Sequence, residues 1–89
     1  MPEARRIDQW LWFARIVKSR SEAQRLIAEG HVRLNRVKIE KPGKEAVAGD
    51  IVTVLVRDHV RVLKISSAGK RRGPAAEAQR LYEEIPGDG

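Results

Sequence analysis

Residues 5–41 read RRIDQWLWFARIVKSRSEAQRLIAEGHVRLNRVKIEK, and the spacing of their apolar side chains changes from helical to strand-like at Gly30. Before Gly30, apolar residues recur every three or four positions, which predicts a first helix over residues 7–18. The polar segment 19–22 has the serine–glutamate spacing of a capping box and predicts the start of a second helix, about nine residues long, which the glycine ends. The short link between the helices predicts a tight corner.

After this glycine, the alternation of side chains has a period of two and predicts a β-hairpin with Asn35 and Arg36 in its turn, because asparagine tolerates positive φ. In the second strand of the hairpin, Val37 is expected to face the core. The β-branched runs 51–56 and 60–65 predict two further strands. Two N-terminal helices packed on a small, mostly antiparallel sheet of three to five strands make an α+β fold.

The C-terminal part begins with a proline at a favourable first-turn position and continues with strong helix formers, which predicts a last helix over residues 75–84. The apolar stripe of this helix comprises Ala78, Leu81, Tyr82 and Ile85. Trp12 and Ile16 lie opposite the apolar face of the first helix and need a cover. We therefore expect the C-terminal helix to dock on these two side chains.

The length of 89 residues predicts a single domain over residues 1–89. Its core is expected at residues 6–65, and the C-terminal helical segment 74–85 is expected to dock on that core. Residues 1–5 are expected to form a loose leader and residues 86–89 a frayed tail.

Charge is the strongest physical indication of function. Residues 1–44 hold 11 basic and 5 acidic side chains, a net charge of +6, whereas residues 45–89 hold 7 of each. A pI near 10.3 with this uneven distribution predicts a polyanionic partner, most simply a nucleic acid. The sequence contains no cysteine, no apolar run near the roughly 20 residues of a membrane span and no apolar centre of a signal peptide, so a cytoplasmic protein is expected.

Catalytic chemistry is not predicted. His31 and His59 are the only histidines, and neither has a sequence neighbour that would make it a base or a metal ligand. Ser19 and Ser21 lack a local histidine partner, so a nucleophilic triad is not expected. The sequence has no phosphate-binding glycine loop and no metal-spaced cluster, which predicts a non-enzymatic protein without cofactor or metal.

Basic side chains predict where a nucleic acid binds. They lie along both helices and the hairpin, and serine hydroxyls at the helical corner add neutral phosphate donors. The strands carry no row of exposed aromatic residues, so recognition of the backbone and shape of a folded RNA is favoured over stacking of single-stranded bases. The candidate RNA-binding residues are Arg5, Arg6, Arg15, Lys18, Ser19, Arg20, Arg25, Arg33, Asn35, Arg36, Lys38 and Lys41.

An ordered set of residues runs from the first helix to the strand that follows the hairpin: Arg6-Ile7-Asp8, Ser19-Arg20, Ala23, Ile27, Gly30, Val32, Leu34-Asn35, Lys41-Pro42 and Gly49-Asp50. Together these residues resemble the S4-type (αL) RNA-binding domain over about residues 6–56. Such domains occur in ribosomal protein S4, in pseudouridine synthases and in tyrosyl-tRNA synthetases. The resemblance implies binding of structured RNA through the two helices and the adjoining hairpin.

Two longer segments, RIDQWLWFARIVKSR at residues 6–20 and RRGPAAEAQRLYEE at residues 71–84, resemble the fifteen-kilodalton heat-shock protein family. This family consists of stand-alone S4 proteins and is similar in role to the S4 factor of ribosome quality control. The resemblance implies binding to ribosomal RNA and tRNA on the large ribosomal subunit, on stalled subunits carrying peptidyl-tRNA, in recycling or quality control. It implies contacts from Arg6, Arg15, Lys18, Ser19, Arg20, Arg33, Asn35, Lys38 and Lys41.

The sequence departs from this family in two places. The usual Asn-Gly hairpin turn is Asn35-Arg36 here, which adds a charge at the expected interface. The long basic C-terminal extension of the enterobacterial members is not expected, because the sequence ends at Gly89. We expect a monomer.

Two other functions are weighed against this one. Two helices at a sharp corner also suggest a small DNA-binding regulator, and weak DNA binding is a further expectation, but the basic residues continue through the hairpin instead of concentrating on one recognition helix. The RNA-guiding domain of a modifying enzyme would need a catalytic partner chain.

Overall fold

The computed structural model describes residues 3–86, which form three α-helices, one 3-10 turn and seven β-strands. The helices are α1 (Ile7–Phe13), α2 (Arg20–Ala28) and α3 (Ala75–Ala78), and the 3-10 turn is Gln79–Leu81. The strands are β1 (Arg5–Arg6), β2 (Val32–Leu34), β3 (Val37–Lys38), β4 (Glu45–Ala46), β5 (Ile51–Val56), β6 (His59–Ile65) and β7 (Tyr82–Ile85). This order confirms the predicted α+β fold. Among these elements, no helix has the length and apolar character required to cross a membrane.

The helix α1 is shorter than predicted, because it closes in a Schellman motif instead of continuing to Lys18. The amide of Arg15 donates to the carbonyl of Trp12 over 3.1 Å, and the amide of Ile16 donates to that of Leu11 over 3.0 Å. Arg15 takes the left-handed conformation, with φ of +60°. This reversal buries Ile16, so the predicted apolar patch of Ile16 and Trp12 on the far face of the helix does not form.

The helix α2 begins and ends where its capping residues predict. The hydroxyl of Ser19 accepts from the amide of Glu22 over 3.1 Å, and the carboxylate of Glu22 accepts from the amide of Lys18 over 2.7 Å. At the other end Gly30 has φ of +81°. The nine residues of this helix are therefore specified locally, as the sequence indicates.

Five strands form one antiparallel sheet in the order β3-β2-β5-β6-β7, and β1 pairs separately with β4. The hairpin turn is the predicted Asn35-Arg36, with φ of +52° and +72°, the pattern of a type I′ turn. The prediction for Val37 is wrong, since its side chain is 69% exposed. The strand β3 holds only two residues at the edge of the sheet, where Val37 has a neighbouring strand on one side only.

The C-terminal helix is present, but it covers only α3, and the remainder of the predicted helix 75–84 becomes the 3-10 turn and the strand β7. β7 pairs antiparallel with β6 along its whole length, which satisfies the backbone groups that β6 would otherwise leave at an edge. Tyr82 packs edge-on against Trp10, with ring centroids 6.4 Å apart, instead of covering Trp12. Non-local strand pairing has therefore outweighed local helix propensity.

One hydrophobic core joins α1, α2, the inner face of the sheet and Leu81. Trp10 is fully buried in this core, and its indole donates to the carbonyl of Ser67 over 2.9 Å. The predicted loose leader 1–5 is ordered at Arg5, which forms β1 with Arg6 against β4. Residues 1–2 of the leader and residues 87–89 of the tail lie outside the described residues.

Candidate RNA-binding surface

A buried carboxylate joins the first two helices. Asp8, in the first turn of α1, has no solvent exposure and accepts two hydrogen bonds from Arg6, from Nε to Oδ1 over 3.2 Å and from Nη2 to Oδ2 over 3.1 Å. The amide of Gln24 in α2 donates to Oδ2 over 3.0 Å, and Nη2 of Arg20 lies 3.6 Å from the same oxygen. The side chains of Arg6 and Arg20 are 48% and 40% exposed, so one carboxylate holds two arginines that both reach solvent.

The ionisation of Asp8 follows from its partners. Burial by itself raises the pKa of Asp8, but the hydrogen bonds from Gln24 and Arg6, the charge of Arg6 and the amide of Gln9 together lower it below its ordinary value. The carboxylate is therefore ionised at neutral pH. The sequence did not predict this role for Asp8. Its separation of two residues from Arg6 was the available signal for this larger role.

The loop 41–44 lies against the start of α1, where two backbone amides of the helix donate to loop carbonyls over 2.8 and 3.3 Å. A Cβ atom on Gly43 would lie 3.7 Å from Nε of Arg6, so the loop backbone approaches that guanidinium closely. This packing brings Lys41 and Lys44 beside the arginine pair. Lys44 was missed from the sequence, because its proximity to Arg6 depends on the fold of the loop.

The hairpin contributes Lys38 to the same region. A Cβ atom on Gly30 would come within 2.9 Å of Cε of Lys38, so this side chain lies over the C-terminal end of α2, where a cation is favoured by the helix dipole. Lys38, Lys41 and Lys44 also line one open depression of about 320 Å³. We call Arg6, Arg20, Lys38, Lys41 and Lys44 the basic surface.

The other predicted cations lie at its margins. Arg33 pairs in register with Lys38, and Arg36 is exposed at the hairpin tip. Arg15 and Lys18 are exposed beyond the opposite end of α1. Among the cations of residues 5–44, seven form no ion pair with a carboxylate of the described residues 3–86: Arg15, Lys18, Arg33, Arg36, Lys38, Lys41 and Lys44.

Some predicted residues use their polar groups inside the fold. Arg5 donates to the carbonyl of Gly69 over 2.6 Å, and its side chain is only 22% exposed. Asn35 accepts from the amide of Ile51 over 2.9 Å and donates to Asp50 over 3.1 Å, which holds the hairpin against β5. The hydroxyl of Ser19 caps α2, as described above.

Arg25 is not brought to the basic surface. It lies 3.9 Å from Glu22, whose carboxylate also lies 3.5 Å from Arg57, and it faces the turn between β5 and β6.

Across residues 3–86, no group of three histidine, cysteine, aspartate or glutamate side chains could hold a metal ion. The arrangement of the described cations is therefore suited to binding an anionic polymer.

Residues 5–52 match the S4 domain family. The heat shock protein 15 homolog of Aeromonas salmonicida is 39% identical over 79 residues, and heat shock protein 15 of Escherichia coli strain K12 is 35% identical over 79 residues. Each alignment covers 89% of this chain and 59% of the relative, so the chain spans about three fifths of the length of these proteins.

Two further comparisons extend these matches. The small ribosomal subunit protein uS4 of Rhodopirellula baltica is 37% identical over 59 residues, which cover 66% of this chain and 29% of that protein. A solved structure of Vibrio cholerae heat shock protein 15, described as trimeric, is similar with a TM-score of 0.84 and 35% identity. That match covers 93% of this chain and 83% of the Vibrio chain.

Proposed function

This chain belongs to the S4 domain family and, within it, to the heat shock protein 15 family, and from this premise we propose that it is a non-enzymatic RNA-binding factor of the ribosome. The observation that carries the proposal is the basic surface, in which two arginines share one buried carboxylate and three lysines have no acidic partner among residues 3–86. The protein acts in the cytoplasm as a monomer.

The mechanism is electrostatic docking on folded RNA with a fixed register. Arg6 and Arg20 are held by Asp8, so they lose little side-chain freedom when they bind phosphates. Lys38, Lys41 and Lys44 add point charges whose binding releases counterions from the RNA. Phosphate contacts of this kind orient the protein on a shape rather than on a base sequence.

The RNA in this proposal is ribosomal RNA together with tRNA on the large ribosomal subunit, specifically a stalled subunit that carries peptidyl-tRNA. The process is ribosome recycling or quality control. The support for this part is the membership of the heat shock protein 15 family, together with the similarity of the S4 segment to a ribosomal protein.

Co-sedimentation with purified ribosomal subunits over a series of salt concentrations tests the proposal. Large subunits carrying stalled peptidyl-tRNA, empty large subunits, small subunits and duplex DNA are compared at equal salt. We expect selective binding to the stalled large subunits, with log affinity falling linearly against log salt concentration. Equal affinity for all four would contradict the proposal and leave a general nucleic-acid-binding module.

A pair of matched variants ties the binding to the basic surface. Lys41→Gln removes one charge from that surface and should lower the salt slope by about 0.7–0.9. Lys64→Gln removes the same charge from the face of β6 opposite the buried Leu63 and Ile65, and should change neither affinity nor slope. Equal effects of the two variants would show that the net charge, and not this surface, drives binding.

A further inference from the structure

The zero net charge of residues 45–89 conceals a local excess of positive charge. Three cations of this half form ion pairs: Arg57 with Glu22, Arg61 with Glu84, and Arg71 with Glu77. Lys70 and Arg72 form none with any carboxylate of residues 3–86. The segment 70–73 therefore presents unneutralised charge, and it lies outside the residues that match the S4 domain.

Arg72 lies over an aromatic side chain. Its guanidinium carbon lies 5.5 Å from the centre of the Trp12 ring, and its Nε donates to the carbonyl of Trp12 over 3.1 Å. The indole is partly exposed and has the ring of Phe13 beside it, 5.9 Å away. Within the described residues Arg72 makes no other side-chain hydrogen bond, so its two terminal nitrogens keep their donors for a ligand.

Arg15 brings a second cation to the same place. Its Nε donates to the carbonyl of Gly73 over 2.6 Å, which ties the end of α1 to the segment 70–73. The left-handed conformation of residue 15 is one that glycine adopts without strain, so the arginine holds this position against its own backbone preference. This conformation closes the Schellman motif of α1, so the end of the helix fixes the position from which Arg15 reaches the segment 70–73.

We propose that Trp12, Arg15, Lys70 and Arg72 form a second RNA-binding site, a stacking platform for one unpaired nucleotide. This inference rests on the proposed function of binding folded RNA. The base stacks on the guanidinium plane of Arg72, which the indole of Trp12 supports from behind. Arg15 and Lys70 bind the flanking phosphates. An isolated platform of this kind differs from the rows of strand aromatics on single-strand binders and accepts a base that a folded RNA leaves unpaired.

A purely structural role for Arg72, as a cap on the last carbonyls of α1, makes a different prediction. A helix cap contributes to folding but does not distinguish a nucleotide that carries a base from an abasic one. The two roles are therefore separated by oligonucleotides that carry the same phosphates with and without bases.

The experiment uses the full chain and two fluorescein-labelled RNAs of equal length and charge, a uridine oligonucleotide and its abasic counterpart, measured by fluorescence anisotropy. The wild-type protein should bind the uridine oligonucleotide about tenfold more tightly, the size of one stacking contact. Arg72→Lys keeps the positive charge but removes the planar guanidinium group, so its affinity for the uridine oligonucleotide should fall to that for the abasic oligonucleotide. Arg80→Lys, at an exposed position of the 3-10 turn, is the matched control and should change neither affinity.

Intrinsic fluorescence gives an independent readout. Trp10 is fully buried and Trp12 is partly exposed, so stacking next to Trp12 should quench part of the emission when the uridine oligonucleotide binds. Trp12→Phe should abolish this quenching. The abasic oligonucleotide should produce none.

Equal affinity of the wild-type protein for the two oligonucleotides would overturn the proposed stacking platform. If the protein then still binds large subunits, the proposed function stands without it. An equal loss of both affinities in Arg72→Lys would also overturn it, since only charge would then matter. If neither RNA nor any ribosomal subunit binds, both proposals fail. If Arg72→Lys does not fold, the affinities of the wild-type protein for the uridine and abasic oligonucleotides still test the stacking platform.

Discussion

The guanidinium group of Arg6 donates two hydrogen bonds, of 3.2 and 3.1 Å, to the buried carboxylate of Asp8, although the two residues are only two positions apart in the chain. The backbone makes this possible because it changes from strand to helix between them, at Ile7. The same carboxylate reaches Gln24 and Arg20 of the second helix. A single acid therefore sets the relative position of two helices and of two cations.

Replacing Asp8 by asparagine should weaken RNA binding even though the net charge of the protein becomes more positive. Arg6 and Arg20 lose their shared anchor, and we expect about tenfold lower affinity for large subunits and about 2 kcal/mol lower free energy of unfolding, the size of a charged hydrogen bond. Asp58→Asn, at an exposed turn position, is the matched control. Co-sedimentation and urea unfolding measure both effects, and tighter binding by Asp8→Asn would contradict the positioning role.

The contribution of Asp8 to stability should depend on pH in a defined direction. Its pKa is lowered in the folded protein from the ordinary value of 3.8, so its contribution is present above pH 3.8 and is lost as the pH falls through the folded value. The difference in unfolding free energy between wild type and Asp8→Asn should be constant near neutral pH and shrink only below 3.8. Urea titrations at several pH values measure it; a difference that vanishes above 3.8 would refute the assignment.

Arg36→Gly should separate stability from binding. Residue 36 has φ of +72° in the type I′ hairpin turn, where glycine is favoured, so the free energy of unfolding should rise by about 1 kcal/mol. The lost charge should weaken RNA binding and lower its salt slope by about 0.7–0.9 if Arg36 contacts a phosphate.

The matched control for this variant lies in the other hairpin turn. Asp58 has φ of +66° at the equivalent position between β5 and β6, so Asp58→Gly should also raise the stability. It should leave RNA binding unweakened. If both glycine variants weakened binding equally, Arg36 would have no specific part in the interface.

Leu81→Ala should release the C-terminal strand, whereas Trp12→Phe should not. Leu81 is buried in the core next to Gly69, and its truncation should cost about 2–5 kcal/mol. Hydrogen exchange of the amides of β7 reports on the release and should accelerate only in Leu81→Ala. Acceleration in Trp12→Phe would restore the original expectation that the C-terminal segment docks on Trp12.

Local patterns predicted the parts of the fold that local interactions specify. Ser19 and Glu22 are three residues apart, so their side chains define the start of α2 wherever it packs. Asn35-Arg36 adopts positive φ in a two-residue turn that needs only its own strands. The concentration of charge in residues 1–44 likewise indicated a polyanionic partner before any contact was known.

Parts of the candidate site could not be read in this way, because they depend on residues far apart in the chain. Lys44 reaches Arg6 only when the loop 41–44 packs on the start of α1, and Arg72 meets Trp12 across 60 positions. Periodicity carries no information on such pairs. Basic residues could therefore be named from the sequence, but not sorted into those on the basic surface and those used by the fold.

By itself, the sequence determined the caps of α2, the hairpin turn, the α+β class and the concentration of positive charge in residues 1–44, because propensity, spacing and charge act over a few residues. Only the tertiary structure decided where α1 stops, that Tyr82–Ile85 is a strand, and that Asp8 gathers two arginines. In each of these cases a local preference competes with a distant partner. The residues of β7 favour a helix by propensity, but they form a strand that pairs with the edge of β6. Backbone hydrogen bonds and core packing stabilise this strand by more than helix propensity opposes it.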